Sequence, residues 1–216
     1  MGRTLTHTTR PTRQFEEKAE ALGARRIAGI DEAGRGPLAG PVVAAVVVLP
    51  PEDHIPGLND SKLLSEIARD RVFSAIQAKA TAVAVGIASP ELIDGINILQ
   101  ATRVAMVRAI RELDPLPDYL LIDGPLSLDL EIPQEGIIKG DRKSSSIAAA
   151  SIVAKVTRDR IMRELHEQYP MYGFDRHKGY GTEAHRKALR EFGPCPAHRQ
   201  CFKGVREVRN SLTGRV

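Results

Sequence analysis

Two apolar periods alternate along this chain. Short continuous or alternating apolar runs mark strands, and apolar residues three and four apart mark helices. The first run, Ile27-Ala28-Gly29-Ile30, lies in a strand expected at 26–31 and ends on two adjacent carboxylates, Asp31 and Glu32. A Gly34-Arg35-Gly36-Pro37 turn follows, then a β-branched run in a strand expected at 41–49. So short a connection favours an antiparallel pair. Pro50-Pro51 closes the second strand. Val83, Val85 and Ile87 alternate in a third strand at 81–89; Tyr119–Asp123 makes a fourth, and 135–139 a fifth that leads to Asp141. Helical spacing predicts 14–22, closed by Gly23, and 65–79 behind the N-cap Ser65. A third helix starts at Ser89-Pro90-Glu91, and a longer one spans 98–113 with Leu99, Met106, Ile110 and Leu113 on one face. The strongest helix spans 144–168, and its small residues Ala148, Ala149, Ala150, Ser151 and Ala154 suit close packing on a sheet. After a polar, aromatic and basic segment at 169–182 comes a helix at 183–192, a Pro/Cys/His loop and a tail. Strands and helices mixed in this order predict an α/β layer fold with a mixed sheet.

Composition narrows the class without naming it. The 216 residues, 42% hydrophobic, are enough for one substantial core. The net charge of +4 permits a polyanionic partner, and an ordinary basic protein shows the same balance. Cys195 and Cys201 are no disulfide scaffold, and with His198 they fall short of a four-ligand zinc site, so free thiols are expected. No apolar run approaches the roughly 20 residues of a membrane helix. The polar, basic N-terminus carries no apolar signal core, which leaves the cytoplasm as the expected compartment.

The chemistry concentrates where strands end. Asp31 with Glu32, Asp123 and Asp141 are carboxylates at three such places. Carboxylate oxygens suit hard Mg²⁺ or Mn²⁺, and converging carboxylates need a cation to hold them together. Each acid alone reads equally as a solvated strand-end residue, and Asp141 equally as a helix cap. Gly34-Arg35-Gly36 either brings backbone N–H groups and a guanidinium to a phosphate or is a tight turn with a solvated arginine. Gly29 and Gly34 have Walker spacing, but Arg35-Gly36 stands where that motif needs Lys-Ser/Thr, and Gly34, Gly36 and Gly40 miss the dinucleotide-fingerprint spacing. Lys143-Ser144-Ser145-Ser146 opens the long helix, an anion site or an ordinary cap. Arg176-His177-Lys178-Gly179-Tyr180-Gly181 suits stacking beside phosphates, and a solvated basic loop has the same composition.

These pieces resemble bacterial ribonuclease HII, the type 2 ribonuclease H. The likeness rests on Gly29–Val42 (GIDEAGRGPLAGPV), Asn59-Asp60-Ser61-Lys62, Ile122-Asp123-Gly124, Lys139-Gly140-Asp141, Ile147–Asp159 (IAAASIVAKVTRD) and His177-Lys178-Gly179-Tyr180-Gly181-Thr182. It covers roughly residues 26–205, leaving 1–24 as an N-terminal extension before a catalytic domain at 25–216. The resemblance implies a ribonuclease H-like mixed five-stranded sheet flanked by helices, with a helical C-terminal part. It implies catalytic, metal-binding roles for Asp31, Glu32, Asp123 and Asp141, with two Mg²⁺ or Mn²⁺ ions during catalysis. It maps a substrate-sensing motif onto Gly34, Arg35 and Gly36, and a sensing tyrosine onto Tyr180. Lys62, Ser144, Ser145, Arg176 and Lys178 are further substrate-binding candidates. The implied reaction cuts RNA paired with DNA, and single ribonucleotides embedded in duplex DNA, leaving 3′-hydroxyl and 5′-phosphate ends. A monomer suffices, and the tail after Val205 lacks the paired aromatics of a sliding-clamp peptide.

Two rivals follow from the same residues. A nucleic-acid-binding protein with a degenerate site would be expected to have lost one of the four acids. A nuclease for another substrate, such as a junction resolvase, would not need the Gly-Arg-Gly turn with Tyr180.

Overall fold

The computed structural model describes residues 10–52 and 55–214. The Thr- and Arg-rich start at 1–13 is expected to be loosely ordered; its residues 1–9 lie outside the described ones, whereas Thr12 is bonded through its backbone to Lys143 and Ser145.

In chain order the elements are α1 (Gln14–Ala21), β1 (Ile27–Ala33), β2 (Val42–Val48), α2 (Glu66–Lys79), β3 (Ala82–Ala88), α3 (Pro90–Arg111), β4 (Tyr119–Asp123) and β5 (Gln134–Ile137). Then come α4 (Ser145–Gln168), α5 (Phe174–His177), α6 (Glu183–Phe192) and α7 (Val205–Thr213), with 3₁₀ turns at Gly140–Arg142 and Pro170–Tyr172. The strands form one mixed five-stranded sheet in the order β3-β2-β1-β4-β5. β1, β4 and β5 run parallel, with Ile30 opposite Ile122 and Asp123 opposite Ile137. A crossover therefore separates β1 from β4, as parallel pairing requires.

The elements follow from local chemistry. β2 is β-branched or small throughout and buried at every position, as a central strand covered on both faces should be. Ser65 and Ser89 each accept a backbone N–H three residues on, closing the starts of α2 and α3. Asn97 interrupts α3 with φ +66°, and its side chain accepts from the amides of Leu99 and Gln100. The two helices expected from the sequence are therefore one element with a break that restarts on its own cap.

Several boundaries differ from expectation. β1 continues through Ala33, so Asp31 and Glu32 lie within the strand. β5 stops at Ile137 and leaves Ile138 exposed, so Asp141 is reached through a 3₁₀ turn. On α3 the buried stripe is Ala101, Thr102, Ala105, Met106, Ala109 and Ile110, while Leu99 is partly exposed. The tail contains α7.

The chain divides into two compact units. Among the described residues the first comprises 10–31, 46–52, 55–83 and 115–152, so α1 and the residues just before it are part of it. One of its core clusters joins Ala19, Ile27, Leu121, Ile137 and Ile147, with Phe15 packed against them. Gly29 of β1 lies so close to the backbone of Ser146 and Ile147 that a Cβ there would overlap it. This is the close approach that the small residues of α4 predict. The second unit comprises, among the described residues, 32–45, 84–114 and 153–214. Its core gathers Ala39, Met162, Tyr172, Phe174, Ala188, Cys195 and Ala197.

Candidate active site

In the first unit the parallel register carries Asp31 one step past the Ile30–Ile122 pair, alongside Asp123 at the end of β4. The 3₁₀ turn brings in Asp141. Asp123 Oδ1 accepts from the Gly140 amide at 2.7 Å and the Asp141 amide at 3.4 Å, so one acid positions the other. Burial, and then the charge of Asp141, push the Asp123 carboxyl up from its ordinary range, against those two amides and Lys62.

Lys62 supplies positive charge here. Its Nζ is 3.2 Å from Asp141 Oδ2. Burial lowers its pKa, but Asp141, Asp31 and Asp60 together outweigh that and raise it. Asp60, fully buried, accepts the Lys62 amide on one oxygen and the Arg142 side chain on the other at 3.0 Å. The Asn59–Lys62 loop and the Asp141 turn are thereby tied together. Among the described residues no three His, Cys, Asp or Glu side chains close on a common point. The donor chemistry nonetheless suits a hard divalent cation: aspartate oxygens on rigid main chain, held close enough to disfavour one another's charge.

The Ser144 hydroxyl does not offer a phosphate site. Ser144 is buried, and the start of α4 is filled by Glu16, whose Oε1 accepts from Ser144 Oγ, Ser146 N and Ser146 Oγ at 2.6–2.8 Å. The Ser145 amide donates to Thr12 O. The anion that a helix N-terminus attracts is here the chain's own.

In the second unit Glu32 lies 3.3 Å from the Arg35 guanidinium. The loop from Gly34 to Pro41 is held by two buried arginines. Arg199 donates to the carbonyls of Gly34 (2.5 Å), Arg35 (2.9 Å) and Gly40 (2.9 Å). Arg158 donates to Ala39, Pro41 and Lys178 at 3.0–3.1 Å. Burial pulls their pKa values down to about 10 for Arg158 and about 9 for Arg199. Gly34 has φ +97°, and a Cβ on it would strike the Arg158 side chain, so glycine is required twice over. A Cβ on Gly36 would sit 3.8 Å from the ring of Tyr180, which is 48% exposed.

Three imidazoles support the tyrosine loop. The Cys195 amide donates to His198 Nδ1 at 3.1 Å, which makes His198 Nε2 a donor to His185 Nε2 at 3.0 Å. His185 Nδ1 then donates to the Tyr180 carbonyl at 2.9 Å. His177 accepts the Gly179 amide and donates to Tyr172 O. Burial pulls His185 and His198 each down to about 4, so both are neutral at pH 7. Both cysteines are free thiols. Arg176 is exposed, whereas the Lys178 ammonium is turned onto the Asp175 carbonyl.

The sequence profile of ribonuclease HII matches residues 28–205. The chain belongs to the ribonuclease HII family. A ribonuclease HII from Syntrophotalea carbinolica is 54% identical over 193 residues, spanning 89% of this chain and 92% of that protein. One from Bacillus thuringiensis is 55% identical over 195 residues, spanning 90% and 76%. Solved structures agree: ribonuclease H2 from Pyrococcus horikoshii superposes with a TM-score of 0.74 at 27% identity, covering 88% of this chain and 99% of that one. Ribonuclease HII from Archaeoglobus fulgidus, solved with PCNA, gives 0.72 at 28% identity, covering 83% and 96%. The fold is that of the type 2 ribonucleases H. The chain is a nuclease with ribonuclease H activity, a hydrolase of RNA paired with DNA. Among the described residues no helix is long and apolar enough to cross a membrane.

Motif reading alone assigns nothing to Asp60, Arg142, Arg158 or Arg199. Asp60 and Arg158 lie inside the matching motifs, which was a usable signal. Arg142 and Arg199 carry no comparable mark.

Proposed function

We propose that this ribonuclease HII also cuts duplex DNA on the 5′ side of a single embedded ribonucleotide, leaving 3′-hydroxyl and 5′-phosphate ends. Asp31, Glu32, Asp123 and Asp141 hold two divalent ions, Mg²⁺ or Mn²⁺. Such ions, when bound, activate the attacking water and stabilise the leaving oxygen. Lys62 balances the acid charge through Asp141 and lies where it can meet the scissile phosphate. Arg176 adds an exposed cation for the backbone.

One observation carries the ribonucleotide reading. A trans peptide points its C=O and N–H in opposite directions. With the Gly34 and Arg35 carbonyls drawn to Arg199, the amides of Arg35 and Gly36 face the other way. Two fixed donors beside the Tyr180 ring suit the 2′-hydroxyl, the group that separates RNA from DNA. The ring stacks on the next deoxyribose, where a second 2′-hydroxyl fits badly. The enzyme acts as a cytoplasmic monomer.

A labelled duplex carrying one ribonucleotide, with Mg²⁺, Mn²⁺ or EDTA, tests this. Metal-dependent cutting 5′ of the ribonucleotide is expected, lost in Asp123→Asn. Tyr180→Ala is expected to reduce it about tenfold or more, from the ~1–3 kcal/mol of an aromatic stack. Cleavage of long hybrids with none of the embedded ribonucleotide would remove the sensing role.

A further inference from the structure

We propose that Glu16, seconded by Thr12, is a positioning residue for Asp141, so that the N-terminal segment sets the geometry of a metal-binding acid. The segment precedes the region matched by the family profile, which begins at residue 28. It is nonetheless built into the first unit.

The contacts converge on the residues after Asp141. Glu16 is only 2% exposed, and its Oε1 sits among two hydroxyls and an amide. Its Oε1 ties Ser144 and Ser146, and Ser144 Oγ in turn accepts the Ile147 amide. One carboxylate thus closes the first turn of α4, where amides lack partners within the helix. Thr12 adds a short parallel bridge: its amide donates to Lys143 O at 2.9 Å, and its carbonyl accepts the Ser145 amide at 3.0 Å. Residues 143–146 are therefore gripped from the N-terminal side. The amides of Lys143 and Ser144 donate to Gly140 O, which passes that grip back across Asp141 to the amides bound by Asp123. Lys139 at φ +57° begins this turn, so its shape has little support from intrinsic preference.

Glu16 is itself held firmly. Ala19 and Phe15 of α1 pack with Ile27, Leu121, Ile137 and Ile147, and Lys18 pairs with Glu135 at 3.0 Å. The carboxylate is thus anchored through β1, β4 and β5, and it presents the Asp141 turn to the ends of those strands. Groups that orient a metal ligand typically change metal affinity about 10- to 100-fold when removed.

The inference rests on Asp141 being a metal ligand, and the experiment separates the two. Full-length wild type, Glu16→Ala, Glu16→Gln, Thr12→Pro and Asp141→Asn are compared in two ways. Deuterium uptake at 140–147 is followed in metal-free protein. The Mn²⁺ concentration for half-maximal cleavage of an RNA–DNA hybrid is then measured. In Glu16→Ala, uptake at 140–147 is expected to quicken with the remainder of α4 unchanged. The Mn²⁺ requirement rises about tenfold, and saturating Mn²⁺ restores most of the rate. Glu16→Gln, which keeps an acceptor oxygen, lies between. Thr12→Pro removes one exposed backbone bond and shifts both readings the same way, which keeps the test alive if Glu16→Ala does not fold. Faster uptake with an unchanged Mn²⁺ requirement makes Glu16 a helix cap only and overturns the proposal, as does no change in either. Asp141→Asn with a wild-type rate and Mn²⁺ requirement removes Asp141 from the ligands, and the proposal with it, whatever Glu16 does.

Discussion

At Asp123, burial and the nearby Asp141 raise the pKa above its ordinary value. A carboxyl raised on folding stabilises the protein only while protonated; that contribution is lost as pH rises through the folded value. Above that folded value the ionised side chain is a cost that a bound cation would relieve. Asparagine keeps the oxygen that accepts from the Gly140 and Asp141 amides and removes the charge. Asp123→Asn is expected to melt higher than wild type in EDTA, by ~2–4 °C for each kcal/mol relieved, while cleaving nothing. Calorimetry with a cleavage assay checks both, and a lower melting temperature would contradict the electrostatic account.

The loop from Gly34 to Pro41 is an element without regular structure, and its shape is imposed from beneath. Arg199 makes three carbonyl bonds from a rigid fork; a lysine in its place offers one compact ammonium. Arg199→Lys is expected to lower the melting temperature and to cut embedded ribonucleotides at least tenfold more slowly than long hybrids, relative to wild type, from two lost bonds of ~1–1.5 kcal/mol each. Equal losses on both substrates would reduce Arg199 to a core residue. This loop also marks where sequence reading stops. Strands placing Asp31 and Asp123, the caps Ser65 and Ser89, and the small-residue face of α4 were legible, because period and capping are local signals. Arginines whose partners are backbone carbonyls leave no such signal, since any residue supplies a carbonyl. Glu16 was opaque for another reason: its partners lie 128 and 130 positions away, and only the folded chain brings them together. Leu99 was placed by pattern on the apolar face of its helix, and the break at Asn97 left it exposed; the strand expected through 139 stops at Ile137.

For the whole molecule the buried imidazoles set the acid limit. His185 and His198 hold pKa values of about 4, lowered first by burial. An unfolded histidine titrates near 6.5. The folded state therefore binds fewer protons between those values, and stability present above pH ~6.5 is lost as pH falls toward ~4. The expected loss between pH 7 and 4 is of order a few kcal/mol, and His198→Asn should flatten it; denaturant midpoints across that range measure both. The inward carbonyls of Gly34 and Arg35 have a last consequence. A ligand read through main-chain amides is indifferent to the side chains around it. Harmful substitutions in this loop should thus concentrate on its hidden underside, at Gly34, Arg158 and Arg199. The side chain of Arg35, on the outer surface, pairs with Glu32, so its loss acts through that acid rather than through the shape of the loop.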